Sequence, residues 1–180
     1  FDQLLVFSST GKLRQRLLHY NNGGGVAFGD VDGNGTPEIL AATVLPAGGT
    51  YLHKLAWDKV RKRLVEVGGN WPVEVAPPSD PGNWGASYRG PILVDLDRDG
   101  VLEVVMPMRG KLHVLRADGR RRAGWPVSLD RQDDIGLVAA GDLDGDQRPE
   151  LVMGTWASGV YIFRANGSVA RFHPRYGDAF

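Results

Sequence analysis

Apolar residues along this chain fall in short runs broken by glycine, aspartate, asparagine and proline. Val26-Ala27-Phe28, Pro91-Ile92-Leu93-Val94 and Leu137-Val138-Ala139-Ala140 are three such runs. Ile39-Leu40-Ala41-Ala42, Val104-Val105-Met106 and Leu151-Val152-Met153 are three more. None keeps the 3.6-residue period of an amphipathic helix over a useful length, so the pattern predicts short strands joined by tight turns.

The runs come in pairs around an acidic loop that occurs three times. The copies begin at Asp30, Asp95 and Asp142, 65 and 47 residues apart. A hairpin signal follows each. Leu112-His113-Val114-Leu115-Arg116-Ala117-Asp118-Gly119 matches Val160-Tyr161-Ile162-Phe163-Arg164-Ala165-Asn166-Gly167, and Tyr51 to Trp57 holds the same place in the first copy before a longer insertion. Asp-Gly and Asn-Gly predict two-residue hairpin turns. Trp71-Pro72-Val73 and Trp125-Pro126-Val127 close the first two copies, with Phe172-His173-Pro174 in the third. Each copy therefore reads as four strands with the acidic loop between the first two.

One four-stranded sheet cannot cover both of its faces, so successive units must pack face to face; arranged radially they form a β-propeller. The expectation is an all-β chain of about three and a half four-stranded blades, partial or completed by another chain. Residues 1–22 are the outer hairpin of a preceding blade, since Leu4 to Leu13 resembles a hairpin half with no acidic loop before it. Residues 23–85 are the first repeat with its insertion, 86–133 the second and 134–180 the third. The opening Phe1 and the mid-blade start suggest a processed product or an excerpt of a larger propeller.

Composition narrows the chemistry. Glycine and proline together supply 36 of 180 residues, well above ordinary usage, as many tight turns require. There is no cysteine, which excludes disulfides, a thiol nucleophile and cysteine-ligated metals. No apolar run is long enough for a membrane-spanning helix, so membrane insertion is not expected. Acids and bases balance at 21 each. Setting aside the eleven acids of the three loops leaves 10 against 21 bases, so the neutral sum conceals a basic exterior, densest at Lys59 to Arg63 and Arg120 to Arg122. Ordinary solvated faces account for it better than attraction of an anionic polysaccharide or nucleic acid.

Within each loop, oxygen-bearing residues stand at positions one, three, five and nine: Asp30, Asp32, Asn34 and Glu38; Asp95, Asp97, Asp99 and Glu103; Asp142, Asp144, Asp146 and Glu150. Calcium takes six to eight hard oxygens, and alternating carboxylates on a tight turn can aim at one point. Position seven (Thr36, Val101, Arg148) would add a backbone carbonyl. Asp and Gly also populate turns for their own sake, yet three copies crowding this many carboxylates would repel without a cation and drive carboxyl pKa values upward. An EF-hand shares positions one, three and five but needs an acid at position twelve and flanking helices; here position twelve is Ala41, Met106 and Met153, between strands. Three Ca²⁺ sites follow. The first should be weaker, because Asn34 replaces an acid. The third should be strained if position six needs positive φ, because Gln147 stands where Gly35 and Gly100 stand.

The three loops with their flanking strands resemble FG-GAP/VCBS repeats, the blades of integrin-like propellers, over residues 23–176. The resemblance implies a seven- or eight-bladed propeller, structural calcium in the loops and a secreted or cell-surface location. Glu rather than Asp at position nine departs from the integrin type, and the blades are too few for a closed ring.

No nucleophile motif, P-loop or dinucleotide fingerprint occurs, and no enzyme activity is expected. Of His19, His53, His113 and His173, the middle two share a hairpin position that suits a core role. Gly23-Gly24-Gly25 lacks a following helix to make a phosphate cradle. The longest loop signal, Pro77 to Gly85, makes Trp84, Tyr88 and Arg89 the first place to seek a ligand surface. The expected function is a non-catalytic extracellular module for binding, adhesion or assembly, with a protein or polysaccharide ligand or further copies of itself as partner. A fibre or ring subunit built by strand pairing, and an accessory region of a secreted hydrolase or lyase, are the alternatives.

Overall fold

The computed structural model describes residues 3–17, 25–45, 48–79, 89–130, 136–155 and 159–172. Among them there are fifteen strands and no helix. All strand pairings are antiparallel, as short apolar runs joined by tight turns require.

Four sheets succeed one another along the chain. β1 (Leu4–Phe7) and β2 (Leu13–Leu17) form a hairpin. β3 (Val26–Gly29), β4 (Glu38–Val44), β5 (Thr50–Asp58) and β6 (Arg63–Glu66) follow in order, and β7 (Val73–Ala76) also pairs with β5. β8 (Ile92–Val94), β9 (Glu103–Met108), β10 (Lys111–Leu115) and β11 (Val127–Ser128) make the third sheet. β12 (Gly136–Gly141), β13 (Glu150–Thr155), β14 (Val160–Phe163) and β15 (Val169–Phe172) make the fourth. These are the blades the sequence predicts, with no closed barrel.

The fourth strand of a blade divides in two. β6 pairs with the far half of β5, and β7, after Trp71-Pro72, pairs with its near half. In the next sheet the first piece shrinks to a single bridge, Leu115 to Arg121, while β11 follows Trp125-Pro126. The insertion seen in the sequence lengthens the β5–β6 hairpin, whose strands stay paired as far as Asp58 and Arg63.

The hairpins depart from the expected two-residue turn. Arg116 N–H donates to Arg120 O at 2.8 Å and Gly119 N–H to Arg116 O at 2.9 Å. Of these turn residues only Gly119 has positive φ. This is a three-residue loop with a glycine bulge, because Asp118 stays in the ordinary region and lends its Oδ1 to Arg120 N–H at 2.9 Å. Ser8 to Lys12 and Arg164 to Ser168 repeat the same two backbone bonds, so the three turns share one geometry.

The core lies between sheets. β9 alternates: Val104, Met106 and Met108 join one apolar cluster with Leu40, Leu52, Trp71 and Val73 of the preceding sheet. Val105 joins another with Leu96, Leu112, Trp125 and, from the following sheet, Leu151, Met153, Tyr161 and Phe163. Period-two alternation thus becomes burial on both faces. Gln15 ties the N-terminal hairpin to β6: it donates to Leu64 O at 2.9 Å and accepts from Leu64 N–H at 2.8 Å.

Candidate metal centres

Each acidic loop leaves the first strand of its sheet and enters the second, so Glu38, Glu103 and Glu150 are the first residues of β4, β9 and β13. Positions four and six are left-handed in all three loops: Gly33 and Gly35, Arg98 and Gly100, Gly145 and Gln147. The expected strain at Gln147 is real, at φ 68°, and Arg98 shares it at 64°. Arg98 Nη1 donates to Gln147 Oε1 at 3.0 Å, joining the second loop to the third through these two residues.

Closely similar hydrogen bonds tie each loop, the third using its position-four N–H where the others use position five. The position-one carboxylate accepts two backbone N–H groups: Asp30 from Asn34 and Gly35 (3.0 and 2.8 Å), Asp95 from Asp99 and Gly100 (3.1 and 2.9 Å), Asp142 from Gly145 and Gln147 (2.8 and 2.9 Å). The position-five oxygen accepts from the position-seven N–H, namely Asn34 from Thr36, Asp99 from Val101 and Asp146 from Arg148. Position nine accepts from position two: Glu38 from Val31, Glu103 from Leu96 and Glu150 from Leu143, at 2.9–3.0 Å. Sequence reading gave those glutamates only a place in the cage; the structure shows each of them anchoring the turn backbone.

The acids gather in all three copies. Asp30, Asp32 and Glu38, then Asp95, Asp97 and Asp99, then Asp142, Asp144 and Asp146 each bring one oxygen apiece to within 4.8 Å of one another. In the second and third loops the cluster is positions one, three and five, with the glutamate beside it rather than in it. Hard carboxylate oxygens at this spacing suit a hard divalent cation.

Positive side chains stand at two of these clusters, and sequence reading missed both. Lys54 of β5 is buried, with Nζ 2.8 Å from Asp32 Oδ2 and 3.9 Å from Glu38 Oε2. Arg122 reaches Glu103 at 2.5 Å and Asp97 at 2.8 Å. Burial alone would lower the Arg122 pKa; hydrogen bonding to Asp97 and the charges of Glu103 and Asp97 outweigh it and raise it. Burial raises the pKa of Glu103, with the Leu96 N–H and Arg122 opposing. At the third loop Arg164 lies 3.8 Å from Asp144 and is largely solvated.

The same two cations bind the next sheet. Lys54 Nζ and the Trp71 indole both donate to Ala117 O, at 3.3 and 3.1 Å. Arg122 Nε and the Trp125 indole both donate to Ala165 O, also at 3.3 and 3.1 Å. Shallow basins open beside the loops at these junctions. One of about 480 Å³ is lined by Asp32, Lys54, Trp71 and Ala117.

A model of the FG-GAP-like repeat family matches residues 95–153, which run from the second acidic loop through the third. Over those residues the chain is similar to FG-GAP-like repeats. No curated protein matches. Among solved structures, the chain is similar to the crystal structure of the V. cholerae biofilm matrix protein Bap1, with a TM-score of 0.50 and 24% sequence identity over 88% of this chain. It spans 22% of the length of that protein. The likeness is one of fold.

Elsewhere, His53 is a satisfied core residue, bonded to Thr43 Oγ1 at 2.8 Å and Glu66 Oε1 at 2.6 Å. His113 occupies the equivalent place in the next sheet, with no partner for either ring nitrogen among the described residues. Burial, with the charges of Arg121 and Lys111, pushes its pKa down to about 3. Trp84, Tyr88, His19 and His173 lie outside the described residues, and Arg89 is half-buried.

Proposed function

We propose that this chain is a non-catalytic, extracellular propeller module for binding, adhesion or assembly, in which calcium fixes the blade loops. The observation that carries the reading is the threefold recurrence of one loop geometry, with carboxylate oxygens converging at every copy. The ligands would be Asp30, Asp32, Asn34 and Glu38; Asp95, Asp97, Asp99 and Glu103; Asp142, Asp144, Asp146 and Glu150. The carbonyls of Thr36, Val101 and Arg148 would complete each cage. A bound divalent ion supplies the charge that lets these carboxylates sit together. The residues themselves do the rest: the position-one Asp gathers the turn's N–H groups, and the position-nine Glu holds the loop to its strand.

The repeat units run from 23 to 85, 86 to 133 and 134 to 180, with 1–22 as the outer half of another blade. The structural neighbour is described as a biofilm matrix protein, a setting that agrees with an adhesive or assembly role and with a protein or polysaccharide partner. No helix among the described residues is long and apolar enough to cross a membrane.

Thermal unfolding in calcium and in chelator tests the reading. An ion that binds only the folded state at a hundredfold excess over Kd adds about 2.7 kcal/mol per site, so chelator should lower Tm by several degrees. An unchanged Tm in millimolar calcium would sink it.

A further inference from the structure

We propose that Lys54 and Arg122 are internal counter-cations that grade the three loops, so that the third takes a divalent ion first and the first takes it last. The inference rests on the calcium reading above and adds the order of filling, which neither the loop motif nor its spacing contains.

Charge at each cage sets the order. The first loop has three carboxylates, Asp30, Asp32 and Glu38, and an ammonium already 2.8 Å from one of them. Lys54 is only 3% exposed at its side chain, so it cannot turn out into water without breaking its bonds to Asp32 and Ala117 O. The second loop has four carboxylates, and Arg122, 13% exposed, claims Glu103 and one oxygen of Asp97. That leaves Asp95 and Asp99 uncontested. The third loop also has four, while Arg164 stands off at 3.8 Å with 67% exposure, where solvent screens it. Calcium affinity rises with the number of charged ligands, and a fixed positive charge beside the cage opposes it.

The neighbouring repeats show what Lys54 replaces. It lies opposite Leu40 across β4 and β5. The matching pairs are Val105 with Val114 and Val152 with Ile162. An apolar residue is thus compatible with the position, and lysine there is particular to the first loop. Strain opposes the order at one point only: Gln147 holds a left-handed backbone in the third loop, and Arg98 carries the same burden in the second, so it does not separate the two.

The test is calorimetric titration with calcium chloride alone, on the full chain and on single variants whose fold is checked by near-ultraviolet circular dichroism. Asp142→Asn should abolish the tightest binding step, and Asp30→Asn should remove only the weakest. Lys54→Met should tighten the weakest step by at least about tenfold, since it removes a unit charge adjoining the cage. Arg122→Met should tighten the middle one. Loss of the tightest step in Asp30→Asn, or unchanged or weaker binding in a folded Lys54→Met, would overturn the proposal. If Lys54→Met does not fold, the two asparagine variants decide the order by themselves. Absence of any binding to the folded wild-type chain would instead refute the calcium reading on which the order depends.

Discussion

Leu96 and Leu143 hold the same place, position two of the second and third loops, yet only one is covered. Leu96 is 0% exposed and packs with Leu151, Met153 and Phe163 of the following sheet, whereas Leu143 is 57% exposed. Substituting each by alanine keeps the backbone N–H that donates to Glu103 or Glu150, so the loop bonding is equal in both variants and only packing differs. Leu96→Ala removes three carbons worth about 0.8 kcal/mol each in transfer, plus a term for the cavity left between two hydrogen-bonded sheets. The sum is about 3 kcal/mol. Leu143→Ala, on the surface, should stay within about 0.5 kcal/mol. For a chain of this length each kcal/mol moves Tm by about 2–4 °C, giving a fall of ~6–12 °C against ~2 °C or less. Melts followed by tryptophan fluorescence, run in chelator so that ion binding does not contribute, read the difference directly. Equal shifts for the two variants would refute the assignment of the second cluster as a core shared between sheets.

The other expectations concern strain and protons. Gly100 has φ 85° and open space around any added Cβ, so Gly100→Ala should cost about 1–2 kcal/mol through the backbone alone, measured as a lower urea midpoint. Gln147→Gly should move the midpoint up, by under about 1 kcal/mol, since it relieves the same conformation but gives the unfolded chain more freedom. His113 is held neutral by burial, its pKa near 3 against an ordinary 6.5. The unfolded chain therefore takes up a proton that the folded chain refuses, and stability should fall as pH drops from about 6.5 toward 3. His113→Leu should flatten that part of the pH–stability curve and cost little at pH 7, because no hydrogen bond is lost. An equally steep acid limb in the variant would show that other groups dominate it.

The strands, blade order and acidic turns were legible because each depends on neighbours in sequence: alternation within a run, aspartates two apart, glycine where φ is positive. What escaped was set by register between strands. Lys54 lies 22 residues beyond Asp32 and meets it because β5 folds back beside β4. Arg122 reads as one of three consecutive arginines on a basic surface, yet Arg120 and Arg121 are exposed while Arg122 turns inward to Asp97 and Glu103. Charged residues in a run carry no mark of which one will be covered. Gln15 is a similar case, a polar residue in an alternating strand whose amide serves Leu64, 49 residues away. The hairpin turns were misjudged for a local reason: Asp-Gly suits more than one loop length, and the bonds of the flanking residues choose between them.

The carbonyls of Ala117 and Ala165 have a consequence for how the molecule comes apart. Each uses its two lone pairs on two donors from the preceding sheet, an indole and a cation that also grips that sheet's acidic turn. A junction cannot loosen by one bond at a time, because sliding the sheets strands a tryptophan N–H and a buried charge together. Nearest-neighbour coupling in this array is consequently stiff, and neighbouring units should melt as one body rather than peel away in succession.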